Sequence, residues 1–339
     1  MTPIRVAVIG YGLAGRVFHA PMIAAVEGLE LAAVVSSRES EIRQAYPSVA
    51  AVRDPEQVFA DPSIGLVVVA TPNDSHFDLA ARALEHGKHV VIDKPFALTS
   101  GQARELIARS RGRLLSVFHN RRWDSDFLTL RRLIGEGALG RIAYFESRFD
   151  LFRPAVTQRW RERAGPATGS WYDLGPHLAD QAMQLFGRPL AISADLGARR
   201  DGAVTTDYFH VVLRYETLRA VLAGDSLARA GDVRFIVHGE RASFIKHGLD
   251  AQQSHLAAGG KPDEPGFGID PHPGWLVLPG GTQQAVEASR GDYRAYYRGV
   301  RDALRGTAPV AVTSGEALAV MELLEAGERS SAERREVPL

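Results

Sequence analysis

The sequence predicts an α/β protein, an N-terminal Rossmann-type doubly wound parallel sheet followed by an α+β domain with a large, mostly antiparallel sheet. Three observations carry this. The first third of the chain alternates short apolar runs with longer amphipathic ones, the pattern of strands joined by crossover helices. A glycine turn, Gly10–Gly15, follows the first apolar run directly. Past about residue 120 the rhythm becomes period-two alternation with few helices between, as in an antiparallel sheet. The 339 residues suit two domains at roughly 150 residues each, expected over 1–121 and 122–339.

Each element has its own reason. Ile4–Ile9 and Leu31–Val35 are strand-like, and a helix is expected over Leu13–Val26. Leu66–Ala70 is almost wholly apolar, which suits a strand covered on both faces. A helix over about 75–86 should stop at Gly87, and Thr99-Ser100-Gly101-Gln102 reads as a capping box opening another. His89–Ile92 and Leu114–Phe118 complete five β units. Phe127, Leu130 and Ile134 form one stripe of a helix near Asp124–Ile134. Strands then follow at Ile142–Phe149, Tyr208–Tyr215, Leu218–Gly224 and Val233–His238, with helices near 176–186, 292–304 and 314–329. Gly259–Pro273 is rich in Gly, Pro and Asp and reads as a loop.

Composition excludes several classes. Lys+Arg and Asp+Glu are both 40, so the basic surface of a nucleic-acid binder is not expected. The chain has no cysteine, which removes disulfides, thiol catalysis and Cys-type metal sites and fits a reducing cytosol. No apolar run is long enough for a membrane span, and the first apolar run is only a strand long, unlike a signal peptide. No H-E-x-x-H pattern or acidic cluster is visible, so no metal is expected.

Gly10-Tyr11-Gly12-Leu13-Ala14-Gly15 is G-x-G-x-x-G placed between a strand and a helix. There Gly10 permits the turn, Gly12 admits a pyrophosphate, and Gly15 lets helix and strand close up. The pyrophosphate would lie on the helix N-terminus. At the end of the second strand stands Ser36-Ser37-Arg38, where an NAD-binding protein would carry an acid. Two hydroxyls and a guanidinium suit a 2′-phosphate, so NADP is favoured over NAD. Glu39 could take the acidic role if the strand ended later, and a solvated turn would leave the preference open.

Lysine is scarce, with only Lys88, Lys94, Lys246 and Lys261. Lys94, in Asp93-Lys94-Pro95, follows an apolar strand, at the end where open α/β sheets bind ligands. It could polarise a substrate oxygen, or be a surface lysine. In Trp171–His177, Pro176 suits a first helical position, which would put His177 in the first turn of a helix and keep its ring neutral. A neutral histidine can take an alcohol proton, and Asp173 could orient it; helix capping is the plainer account of both. Thr71-Pro72-Asn73 follows the third strand and faces the cofactor crevice or is a simple turn. His119–Trp123, with Asn120 and Arg121, lines the site or is surface basic sequence. Arg159–Arg163 reads as a solvated loop, from which Trp160 could cover the nicotinamide. His76 reads as a helix-start or packing histidine rather than a metal ligand.

Together, Gly10–Gly15, Thr71–Asn73, Gly87–Pro95 and Asp173–His177 resemble the Gfo/Idh/MocA oxidoreductase family, in the right order over effectively the whole chain. The family usually has Glu-Lys-Pro where this chain has Asp93-Lys94-Pro95. Phe118–Phe127 and Trp171–Leu174 look like the NADP-dependent scyllo-inositol 2-dehydrogenase branch, which also has Asp-Lys-Pro. The resemblance implies Lys94, Asp173 and His177 as catalytic residues. It implies Gly10–Gly15, Ser36–Arg38, Thr71–Asn73, His76, Asp93, Lys94 and Trp160 around the cofactor. It implies Lys94, Asn120, Arg121, Tyr172, Asp173 and His177 around a small polyol or sugar. A cytoplasmic homodimer or homotetramer built through the C-terminal sheet is expected. An aldose or deoxysugar dehydrogenase of the same family, a glycosidase using NAD transiently, and a non-catalytic NADP-binding sensor are the alternatives.

Overall fold

The computed structural model describes residues 2–339, which cluster into two compact units. The first runs to Asn120 and takes in Gln252–Phe267 and Asp292–Leu318; the second holds Arg121–Ala251, Gly268–Gly291 and Ala319–Leu339. The expected division, 1–121 and 122–339, was contiguous, and this is corrected: two later segments return to the first unit. The returning segments bury aromatic side chains there. Tyr296 and Tyr297, on the helix Arg294–Leu304, pack edge-on and tilted against Phe118.

The first unit holds a six-stranded parallel sheet in the order β3-β2-β1-β4-β5-β6. The strands are β1 Ile4–Ile9, β2 Leu29–Val35, β3 Ala50–Val52, β4 Leu66–Val69, β5 His89–Ile92 and β6 Leu115–Val117. All of β4 is buried, as its unbroken apolar run requires of a central strand. The short β3 escaped the sequence reading because three residues carry no period. The order reverses between β1 and β4, the switch point where such sheets bind ligands beyond their carboxyl ends.

The helix after β1 contains a widened π turn, Gly15–His19, before Ala20–Ala25. Pro21 accounts for it: proline gives the helix no N–H, and its ring presses on the carbonyl four residues back. Thr99 Oγ1 caps Ser100–Ser110 by accepting the Gln102 backbone N–H at 3.1 Å, while the side-chain Oε1 of Gln102 accepts the Leu98 N–H at 3.1 Å. The return arm of the capping box therefore lands one residue early. Gly87 closes its helix at φ +72°, as expected.

The second unit holds a nine-stranded sheet in the order β14-β13-β12-β11-β7-β10-β9-β8-β15. Its strands are β7 Ile142–Arg148, β8 Ala191–Gly197, β9 Tyr208–Arg214, β10 Arg219–Asp225, β11 Val233–Gly239, β12 Ser243–His247, β13 Gly274–Val277, β14 Gln283–Val286 and β15 Val337–Pro338. Only β7 and β10 pair in parallel. An 18-residue helix, Gly169–Phe186, packs on β9 and β10, anchored by Trp171. The Trp171 ring lies 5.2 Å from Phe209, and its Nε1 donates to the Leu324 carbonyl at 3.0 Å. Arg234, on β11, is 1% exposed and donates to Asp126 at 2.9 Å, Gln181 at 2.6 Å and Ser147 at 2.7 Å. A buried guanidinium survives only with such complete pairing. Among the described residues no helix is long and apolar enough to cross a membrane.

Candidate active site

In the first unit the glycine loop, Ser36–Arg38, Thr71–Asn73 and Asp93–Lys94 all stand at the carboxyl ends of β1, β2, β4 and β5. Gly10 sits at φ +101°, and a Cβ there would meet the Ala70 carbonyl oxygen at 2.5 Å. Gly12 differs, because a Cβ on it would meet nothing within 4 Å. The loop is thus tight on its protein side and open on the Gly12 side, the shape a pyrophosphate needs. Tyr11 is buried, and burial pushes its phenol up. Leu13 is exposed and Ala14 half-buried on the same loop. These residues fit a dinucleotide.

β2 ends at Val35, so Ser36, Ser37 and Arg38 occupy the strand end. Ser37 and Arg38 are exposed. Ser36 Oγ accepts the Arg38 N–H at 3.2 Å. Arg38 reaches only Glu41, at 3.6 Å, with both side chains half exposed. Glu39 opens the next helix and is held by Arg53 at 2.7 Å, whose hydrogen bond and charge lower its carboxyl. The acid that could have stood for NAD is therefore engaged elsewhere.

Thr71 accepts a hydrogen bond from Ser75 Oγ at 2.7 Å, Pro72 is exposed and Asn73 buried. His76, expected at the cofactor, bridges two loops in this structure. It is fully buried, with Nδ1 2.8 Å from the Pro95 carbonyl and Nε2 3.0 Å from that of Thr71. Its ring ties the loops after β4 and β5 together. Burial lowers its pKa, against the pull of Asp93 and the two carbonyls.

Asp93 is buried and Lys94 half-buried, joined to Pro95 by a cis peptide bond. Asp93 Oδ1 accepts the Lys94 backbone N–H at 2.9 Å. Burial pushes the Asp93 carboxyl up, but the His19 ring, then Lys94 and His76, hold it down at about 2. Asn120, after β6, is buried.

In the second unit, His177 is buried and lies mid-helix rather than in the first turn. The helix begins at Gly169, so Pro176 is internal and the expected help from a helix N-terminus is withdrawn. The proline signal misled because the sequence does not distinguish a proline inside a helix from one in its first turn. Asp173 and His177 keep the i, i+4 spacing of one helix face. Asp173 Oδ1 stands 3.2 Å from Arg161 Nε. The guanidinium of Arg161 covers the half-buried Trp160 ring at 4.5 Å.

Arg159–Arg163 is thus no free loop: Trp160–Glu162 forms a 3-10 turn, and Glu162 binds Arg200 at 3.1 Å. The Arg161–Asp173 pair was missed because nothing in a run of arginines marks which one reaches inward. Tyr172, expected at the substrate, is buried, and its hydroxyl donates to Glu328 at 2.9 Å. Arg121 is likewise buried, 3.1 Å from Asp124 and 4.6 Å over Phe149, and Arg122 is paired with Asp180. Neither is the surface residue of the alternative reading.

Residues 4–119 match the family described as "Oxidoreductase family, NAD-binding Rossmann fold", and 131–339 match "Oxidoreductase family, C-terminal alpha/beta domain". The chain is 51% identical to the uncharacterized oxidoreductase YdgJ of Escherichia coli, covering 98% of this chain and 97% of that one. It is 40% identical to scyllo-inositol 2-dehydrogenase (NADP(+)) IolW of Bacillus subtilis, covering 99% and 96%. The solved structure of YPO2259 from Yersinia pestis is similar at TM-score 0.96 and 48% identity, covering 100% and 97%. With an NAD(P)-binding Rossmann sheet and both domain matches in place, the chain belongs to the Gfo/Idh/MocA oxidoreductase family.

Proposed function

We propose that the protein is an NADP-dependent dehydrogenase oxidising a secondary alcohol of a cyclic polyol, with scyllo-inositol to a ketoinositol as the reaction it fits best. The observation that carries the reading is Lys94 at the carboxyl end of β5, on the same edge of the sheet as the open glycine loop. Similarity over nearly the whole chain to an NADP-dependent scyllo-inositol 2-dehydrogenase supports the substrate class. The Ser36–Arg38 strand end, with Glu39 drawn off by Arg53, supports NADP.

The dinucleotide supplies the hydride acceptor at nicotinamide C4. Lys94 Nζ holds the substrate oxygen as negative charge develops on it. His177 takes the hydroxyl proton, and in the reverse direction returns it. Asp173, fixed by Arg161, orients the imidazole and stabilises it once charged. The protein acts in the cytoplasm as a homodimer or homotetramer through the sheet of its second unit.

The test is nicotinamide absorbance at alkaline pH, with NADP or NAD against inositol isomers and aldoses. Reduction of NADP with scyllo-inositol supports the reading. Activity on an aldose with NAD keeps the family chemistry and overturns substrate and cofactor. Cofactor binding with silence across the panel points to a glycosidase or a sensor.

A further inference from the structure

A buried chain of polar groups lies behind Lys94, and two of its members, His19 and Tyr297, belong to none of the roles above. The π turn ends at His19, which is fully buried. Its ring packs 4.4 Å from Phe118, and its Nδ1 lies 2.6 Å from the hydroxyl of Tyr297, also fully buried. Its other nitrogen, Nε2, makes no hydrogen bond and faces Asp93 Oδ1 at 3.8 Å. That same carboxylate oxygen accepts the Lys94 N–H at 2.9 Å.

We propose that His19 and Tyr297 are positioning residues for Lys94, acting through Asp93. An ionised carboxylate only accepts hydrogen bonds, so the nitrogen facing it carries the proton. In the neutral ring Nδ1 is then an acceptor, and the Tyr297 hydroxyl donates to it. The chain reads in one direction: Tyr297 O–H to His19 Nδ1, His19 Nε2–H toward Asp93, and Asp93 receiving the Lys94 amide. His76 and Lys94 are the other charged or titratable groups around Asp93. Fixing the carboxylate fixes the backbone at Lys94, and small displacements of a group that holds a reacting atom are costly in rate. The inference rests on the role of Lys94 proposed above.

The test compares turnover of NADP with scyllo-inositol, KM for the polyol and Kd for NADP in four variants of the full chain. In His19→Gln the amide nitrogen reaches about where Nε2 stands and keeps the donor to Asp93. In His19→Asn it reaches only about the Nδ1 position. Tyr297→Phe removes one hydroxyl and nothing else, and serves alone if the histidine variants do not fold. We expect kcat to fall by about threefold or more in His19→Asn and Tyr297→Phe, with Kd for NADP unchanged and His19→Gln nearer wild type. A fall under about threefold in Tyr297→Phe, or equal losses in His19→Gln and His19→Asn, overturns the inference. Lys94→Ala runs beside them. Wild-type turnover there overturns the Lys94 reading itself, whereas an inactive Lys94→Ala beside an active Tyr297→Phe removes only the relay.

Discussion

The Cβ that Gly15 lacks would stand 2.0 Å from the carbonyl oxygen of Gly10, whereas a Cβ on Gly12 would touch no protein atom within 4 Å. The fold therefore requires Gly15 and leaves Gly12 open, and the proposed function gives that open side to the ligand. Gly15→Ala should overpack the turn by about 1–3 kcal/mol and lower the melting temperature by several degrees. Gly12→Ala should melt as wild type yet bind NADP about tenfold more weakly or worse. Calorimetric melting and cofactor titration check both. Wild-type NADP affinity in Gly12→Ala would refute the assignment of the open side to the pyrophosphate.

Arg38 is exposed and its pair with Glu41, at 3.6 Å between half-exposed side chains, is weak. It is free to turn to a 2′-phosphate. Charge-assisted bonds of about 1.5–3 kcal/mol imply roughly tenfold or greater loss of NADP affinity in Arg38→Ala. NAD affinity should stay as it is. Equal losses for both cofactors would place Arg38 outside phosphate recognition.

Asp173 touches Arg161 at 3.2 Å with both side chains about a third exposed, so the pair adds little to stability. Asp173→Asn should leave unfolding nearly unchanged and lower kcat by about 10- to 100-fold, as loss of an orienting group does. Steady-state kinetics beside a urea melt separate the two effects. Unchanged kcat would make Asp173 only an anchor for Arg161.

The Asp93 carboxyl is held at about 2 in the folded chain, below its unfolded value of about 3.9. A depressed folded value gives stability that is present above about pH 4 and lost as pH falls through about 2. The contribution is on the order of 2 kcal/mol. The wild-type advantage over Asp93→Asn in urea unfolding should shrink across that window. A constant difference from pH 7 to 2 would contradict it.

The parallel sheet was legible because its central strands are unbroken apolar runs and its longer crossover helices are periodic. An apolar run suffices to mark Leu66–Val69, buried throughout, but cannot find Ala50–Val52, which is three residues long. In the second unit, β13 and β14 are only four residues each and alternate weakly, so the sequence gives no strand signal for them. Spacing singled out His177 and Asp173 as candidates, but it did not locate the helix start, because Pro176 marks a first turn in most settings and here is internal. His19 carried no signal at all. Its burial depends on the π turn and on Tyr297, which is 278 positions away in the chain.

The central claim is that Lys94 holds the reacting oxygen. It is tested most directly by Lys94→Ala, assayed beside wild type with NADP and scyllo-inositol, with NADP affinity measured in both. We expect turnover to fall by about 100-fold or more while the Kd for NADP stays within about twofold. Turnover at the wild-type rate in that variant would contradict the account.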